Sequence, residues 1–142
     1  VQSLTDEFED IIQGKTPLVP AKPGDILTKC KNSSKLTPTQ HSRYQTGVGK
    51  LLYLAKHSRP DIANALGCVA KYCDNYDQSH WIAVKRIIRY LNTTKNYRLT
   101  YGIGTKNGLE CYADASWGDD LDTRRSTTGY ITKLDGNLIS WK

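Results

Sequence analysis

Ser79-His80-Trp81-Ile82-Ala83-Val84-Lys85-Arg86-Ile87-Ile88-Arg89-Tyr90-Leu91 repeats its large apolar residues three and four positions apart, whereas Leu109-Glu110-Cys111-Tyr112-Ala113-Asp114, further along, does not. In the first stretch Trp81, Val84, Ile87, Ile88 and Leu91 fall on one face of a helix, Lys85, Arg86 and Arg89 point outward, and Asn92 offers a stop. In the second the repeat has shortened to two, the period of a strand. Helices first and strands afterwards predict an α+β chain in which two pieces of different architecture meet near Lys95.

Upstream, Val48, Leu51, Leu52, Leu54 and Ala55 give residues 44–57 the apolar side of a helix. Ser58-Arg59-Pro60-Asp61 interrupts it, because the residue before proline avoids helical geometry while proline suits a helix's first position. A second helix is therefore expected from Pro60 to about Asp74-Asn75, burying Ile62, Leu66, Val69, Ala70 and Cys73. Residues 1–14 read as a short helix with Leu4, Phe8, Ile11 and Ile12 on one face, ended by Gly14. From Lys15 to about Ser42 come four of the five prolines (Pro17, Pro20, Pro23, Pro38) among small polar residues, the composition of an extended connector. Downstream, strands are expected at 97–102, 108–114, 128–134 and 137–141. The last two are joined by Asp135-Gly136, a strong hairpin signal, and residues 115–127 form a polar loop. The expected organisation is 1–43 as helix and connector, 44–94 as a helical region and 95–142 as strands.

The chain has 142 residues, a net charge of +6 and no methionine, and it is expected to be an excerpt of a longer protein. The charge is uneven. Residues 1–30 carry three basic and five acidic side chains, residues 31–106 thirteen and three, and residues 107–142 four and six. A basic centre suits a polyanionic partner. Cys30, Cys68, Cys73 and Cys111 show no CxxC pairing and no histidine at zinc-ligand spacing, which disfavours a structural metal site and leaves buried free thiols as the expectation. No uncharged apolar run reaches the ~18 residues of a membrane span, and nothing near Val1 reads as a signal peptide, so an intracellular setting is expected.

Cys111-Tyr112-Ala113-Asp114-Ala115-Ser116-Trp117 places a lone carboxylate near the end of an otherwise apolar strand, where aspartate is unfavourable unless something satisfies it. A divalent cation of the magnesium class would do so, and so would the cap of the adjoining turn. Asp119, Asp120 and Asp122 lack the glycine and terminal glutamate of a calcium loop and read as solvated. Arg124 and Arg125 either pair with them or hold a phosphate. Lys85, Arg86 and Arg89, with Lys50, Lys56, Arg59, Lys71, Lys95 and Arg98, form either a soluble basic face or a groove wall for a nucleic-acid backbone. His41, His57 and His80 lie in no catalytic constellation and are expected to be structural. The sequons at Asn32 and Asn92 matter only in a secreted chain.

Several motifs, taken in order, resemble the copia-type retrotransposon Pol polyprotein, from about Thr16-Pro17 to Lys142. They are Tyr44-Gln45-Thr46-Gly47-Val48-Gly49-Lys50-Leu51-Leu52-Tyr53-Leu54 with Ser58-Arg59-Pro60-Asp61-Ile62; His80-Trp81 with the helix through Leu91; Tyr112-Ala113-Asp114-Ala115-Ser116-Trp117-Gly118-Asp119 with Arg124-Arg125-Ser126-Thr127-Thr128-Gly129-Tyr130; and Ile139-Ser140-Trp141-Lys142. The resemblance implies a helical thumb-like region of reverse transcriptase that grips RNA–DNA hybrid or primer–template duplex, followed by an incomplete antiparallel RNase H-like sheet. It implies that Asp114 is the first metal-binding and catalytic carboxylate of a nuclease using Mg2+ in its complete domain. The family's polymerase aspartates would lie before Val1 and its later RNase H ligands after Lys142. One carboxylate cannot fix two cations ~3.5–4 Å apart, so this chain alone is expected to bind no magnesium and to catalyse nothing. Other expected partners are the rest of the Pol polyprotein and, through the open sheet edge, a second copy. The alternative is a co-opted, non-catalytic remnant acting as a binding or effector protein.

Overall fold

Thr37-Pro38-Thr39-Gln40 begins the longest helix of the chain, six residues ahead of the expected start at Tyr44. Composition alone assigns Pro38 to the extended connector. It occupies the first helical turn instead, where its missing N–H costs nothing. Gln40 N donates to Thr37 Oγ1 (3.3 Å) and Thr37 N to Gln40 Oε1 (3.0 Å), a capping box that satisfies two otherwise orphaned donors.

The computed structural model describes residues 1–30, 37–103 and 108–142; the sequon at Asn32 and the turn glycine Gly104 lie outside them. The chain folds as two units, Val1–Tyr97 and Arg98–Lys142. The first holds α1 (Gln2–Glu7), α2 (Glu9–Ile12), α3 (Pro38–His57), a 3-10 turn (Pro60–Ile62), α4 (Ala63–Ala70) and α5 (Gln78–Thr93). The second holds β1 (Leu109–Ala115), β2 (Thr128–Leu134) and β3 (Asn137–Trp141).

The core of the helical unit joins Leu4, Phe8 and Ile11 to Tyr44, Val48 and Leu51, to Ile62, Leu66 and Val69, and to Trp81, Val84, Ile87, Ile88 and Leu91. The single helix expected over residues 1–14 is broken at Phe8, whose backbone leaves helical geometry and whose side chain is fully buried. Neither glycine nor proline forces the break. It seats the Phe8 ring beside Gly47, where an added Cβ would stand 3.5 Å from Phe8 Cζ, and beneath the Arg43 guanidinium. Arg43 also forks onto Asp10 (2.6 and 2.8 Å), tying α3 to α2. The helix expected from Pro60 to Asp74-Asn75 is a 3-10 turn followed by α4, which stops at Ala70.

Asp77 caps α5. Its Oδ1 accepts from Ser79 N (2.8 Å) and lies 2.9 Å from Nδ1 of the fully buried His80. Burial opposes ionisation of Asp77, but the hydrogen bonds from Ser79 and His80 outweigh it and hold the carboxyl well below its usual range.

The segment read as a break, Ser58-Arg59-Pro60-Asp61, carries the principal buried charge. The Arg59 side chain is 3% exposed. Its Nε and Nη2 fork onto Asp61 (2.9 and 2.7 Å), while Nη1 and Nη2 donate to Thr94 O (3.1 Å) and Thr94 Oγ1 (2.5 Å). Tyr90 Oη donates to Asp61 Oδ2 (2.9 Å), and the guanidinium lies over the rings of Tyr90 and Tyr97. The network joins the end of α3 to the last turn of α5. Burial raises the Asp61 pKa, yet the bonds from Arg59 and Tyr90 overcome it and the net shift is downward.

In the second unit β1, β2 and β3 form an antiparallel sheet in that order. The β2–β3 hairpin turns at Asp135-Gly136, with φ of 49° and 83°, the paired positive values of the tight turn this dipeptide favours. The pairing shifts between Thr132↔Ser140 and Lys133↔Leu138, leaving Ile139 as a bulge. The strand expected at 97–102 is absent from the described residues. Gly102 is held by a side chain instead: its N donates to Asn137 Oδ1 (2.9 Å) and its O accepts from Asn137 Nδ2 (3.2 Å). Among the described residues every buried side chain belongs to the helical unit, and Leu109, Ile131, Leu134 and Ile139 of the sheet are exposed.

Replacing Arg59 by Ala should destabilise the helical unit by about 3 kcal/mol in urea denaturation, because Asp61 and Thr94 lose a buried cation together. Arg59→Lys should recover little of this, since an ammonium cannot fork. Asp61 and Asp77 titrate lower in the folded chain than in the unfolded one, so the unfolded state takes up more protons as the pH falls. Their stabilisation should be complete above about pH 4 and decline below it, and Asp61→Asn should flatten the acid limb of a melting-temperature profile.

Candidate functional site

Strand alternation and register put Tyr112, Asp114, Gly129, Ile131, Lys133 and Trp141 on one face of the sheet. Asp114 lies one residue from the end of β1 opposite Gly129, so no side chain stands across from its carboxylate. The residue is exposed, and its Oδ1 accepts from Ala115 N (2.9 Å). One oxygen thus caps the strand exit, and the exposed carboxylate lies beside a Tyr112–Ile131–Trp141 row. Lys133 Nζ stands 5.7 Å from the centre of the Tyr112 ring on the same face.

Among the described residues no three His, Cys, Asp or Glu side chains gather as a metal site. The side chains present do not by themselves fit a pair of magnesium ions, which needs several convergent carboxylates, so no catalytic step through such ions follows from them.

The loop after β1 is braced. Ser116 N donates to Thr127 O (2.9 Å), Thr127 N to Ser116 Oγ (2.9 Å) and Gly118 N to Ser126 Oγ (3.2 Å). Asp119 Oδ1 accepts from Thr127 N (3.2 Å) and Oγ1 (3.0 Å); hydrogen bonds from Ser116 and Thr127 hold its carboxyl below the usual range. Asp120 Oδ1 accepts from the amides of Asp122 (3.0 Å) and Thr123 (2.9 Å). These acids build the loop more than they line a cleft. The main chain ties them to the basic stretch through Arg124 N to Asp120 O (2.8 Å) and Asp120 N to Arg125 O (3.3 Å). Arg124 takes a positive φ of 56°, and the side chains of Arg124 and Arg125 are exposed.

Lys85, Arg86 and Arg89, expected to point outward together, are half-buried on α5. Arg89 Nε donates to Ile11 O (2.6 Å) and Arg86 Nε to Val19 O (3.2 Å), so both hold the N-terminal segment against the helix, over a cavity of about 560 Å3 lined in part by Lys15, Ile26, Ala65 and Ile82. Lys85 Nζ lies 5.8 Å from the Trp81 ring centre. The connector folds back over α5, which helical periodicity alone does not reveal. The thiols also differ from expectation: Cys68 and Cys111 are exposed, and Cys30 and Cys73 half-buried. His41 packs on Tyr76, and His57 stacks on Tyr53 with Nδ1 2.8 Å from Tyr53 O, in keeping with structural roles. Two residues escaped the sequence reading. Arg59 reads in the sequence as part of a helix break and of the basic groove wall, but it is buried against Asp61 and Thr94 and offers no surface to a polyanion; Trp117 reads as the tail of a motif and stands in solvent.

No helix among the described residues is long and apolar enough to cross a membrane. No protein-family model matches the chain, and no solved structure does. The retrovirus-related Pol polyprotein from transposon TNT 1-94 of Nicotiana tabacum is 39% identical over 79% of this chain, which spans 9% of that relative. A putative transposon Ty5-1 protein of Saccharomyces cerevisiae is 35% identical over 89% of this chain and 39% of its own length. A secreted RxLR effector protein of Plasmopara viticola is 39% identical over 70% of both chains. With Pol-related and transposon proteins 35–39% identical to it over 79–93% of its length, the chain belongs to the copia-type retrotransposon Pol family.

Proposed function

We propose that this chain is the stretch of a retrotransposon Pol polyprotein in which a thumb-like helical unit grips RNA–DNA hybrid or primer–template duplex and an RNase H-like sheet begins. In this reading Asp114 supplies one of the ligands that hold Mg2+ for hydrolysis of the RNA strand, and Arg124 and Arg125 contact phosphate. The observation that carries it is the Asp114 carboxylate, exposed at a strand exit opposite a glycine, in a chain whose relatives are Pol polyproteins. Charge supports the division of labour. Residues 1–97 carry fourteen basic and eight acidic side chains, residues 98–142 six of each, so attraction for a polyanion resides in the helical unit. Lys85 belongs to that surface, whereas Arg86 and Arg89 also hold the N-terminal segment. The setting is intracellular, with the rest of the polyprotein as partner and the outer strands β1 and β3 as places for a second copy to pair.

The Plasmopara viticola relative favours a second reading, a co-opted remnant that keeps the fold as a binding or effector protein without the chemistry. The reading frame that carries this chain separates the two. Further in-frame glutamate and aspartate ligands downstream support the enzyme, and a stop codon after a short tail supports the remnant.

Labelled RNA–DNA hybrid should bind the chain with an affinity that falls about tenfold or more between 50 and 200 mM salt, as expected when a few phosphates are neutralised. Binding indifferent to salt would remove the electrostatic basis of the reading. Arg125→Ala should weaken binding at unchanged stability, whereas Arg89→Ala should lower both, since Arg89 also bonds Ile11. The chain alone should not cut the hybrid, and magnesium-dependent cleavage lost in Asp114→Asn would show that its carboxylates suffice. A strictly monomeric chain by light scattering, with no dye-detectable apolar surface, would remove the edge-pairing element.

A further inference from the structure

Trp117 is 98% exposed, while Trp81 is 4% exposed and Trp141 is half-buried. A bare indole is costly in water, since tryptophan brings 150–250 Å2 of largely apolar surface that folding normally covers. It does not sit on a slack tip. Ser116 and Gly118, its two neighbours, are each hydrogen-bonded to the far side of the loop at Thr127 and Ser126. A loop braced in this way that presents one uncovered aromatic has met part of the ordering cost that a contact would otherwise impose.

We propose that Trp117 is a stacking platform for an unpaired nucleotide of the bound strand, with the exposed Arg124 and Arg125 side chains of the same loop taking the adjoining phosphates. The proposal rests on the nucleic-acid reading above and adds a residue and a ligand class to it. The chemistry favours a nucleotide over an apolar protein surface. The loop pairs a flat π-face with two guanidinium groups, the combination that single-stranded nucleic acid requires, and two of its acids, Asp119 and Asp120, are turned onto loop donors. Position agrees as well. Trp117 lies three positions after Asp114, a span of at most about 11 Å, so a base on the indole lies within a few nucleotide steps of that carboxylate. Stacking tolerates any base, so the platform would register the strand against Asp114 without reading sequence.

The test compares two labelled RNA–DNA hybrids, one blunt and one with a short single-stranded overhang, on the full chain and on Trp117→Ala and Trp117→Phe, with melting temperature as the folding control. The wild-type chain should prefer the overhang hybrid. Trp117→Ala should lose roughly tenfold in affinity for it, about the effect of removing one stacked base, with binding to the blunt hybrid and the melting temperature unchanged. Trp117→Phe, which keeps a π-face, should retain most of the affinity. Equal binding of both hybrids by wild type and Trp117→Ala would overturn the platform and leave the duplex-gripping reading standing. Failure of the wild-type chain to bind either hybrid would overturn both. A variant that changes only the oligomeric state would assign the indole to self-association and overturn the proposal as well.

Discussion

Arg59 is the constraint on which the helical unit hangs. A guanidinium taken out of water is tolerable only if nearly all its donors are met, and here one carboxylate, one carbonyl and one hydroxyl meet them while two aromatic rings flank its plane. Those partners come from chain positions far apart: Asp61 just after α3, and Tyr90, Thr94 and Tyr97 at the end of α5. Satisfying one cation therefore fixes where α3 stops, how the chain turns through Pro60 into α4, and where α5 terminates. Apolar burial among Leu51, Ile62, Val84 and Ile88 provides the gross stabilisation, and the buried ion pair selects the arrangement in which it occurs.

The parts legible in the sequence were those decided by neighbours in the chain. The apolar spacing of Trp81 to Leu91 marks α5, and Asp135-Gly136 marks the hairpin, because helical periodicity and paired positive φ values are local properties. The parts that were not legible depend on distant partners. Proline at Pro38 reads as a breaker until Thr37 and Gln40 are seen to close a box around it. Phe8 interrupts a good helical pattern because its ring fits beside Gly47 on another helix. Tyr97 to Gly102 alternates like a strand, yet the Asn137 side chain holds its end. At the candidate site, the place of Asp114 near a strand exit followed from alternation, whereas the inward turn of Asp119 and Asp120, the half-burial of Arg86 and Arg89 and the exposure of Trp117 followed from loop and connector paths that no pattern encodes.

The two units also divide their electrostatics. The helical unit is net basic but uses several cations internally: Arg43 on Asp10, Lys50 on Glu7, Arg59 on Asp61, and Arg86 and Arg89 on main-chain carbonyls. The sheet unit is balanced overall but polarised locally, with two of its acids bonded into the loop and its arginines exposed. A count of lysines and arginines therefore overstates the charge offered to a polyanion in the first unit.

The sheet, described above as having no buried side chain, would be expected to live on a different kinetic footing from the helices. Its ladder amides lie under half-buried side chains such as Tyr130, Leu138 and Trp141 and under none that is fully buried, so deuterium would enter β1 to β3 through small local openings. The amides of α3 and α5 would exchange only when their shared core comes apart. One polypeptide thus carries two grades of cooperativity, and any partner that covers the sheet would act first by slowing its breathing.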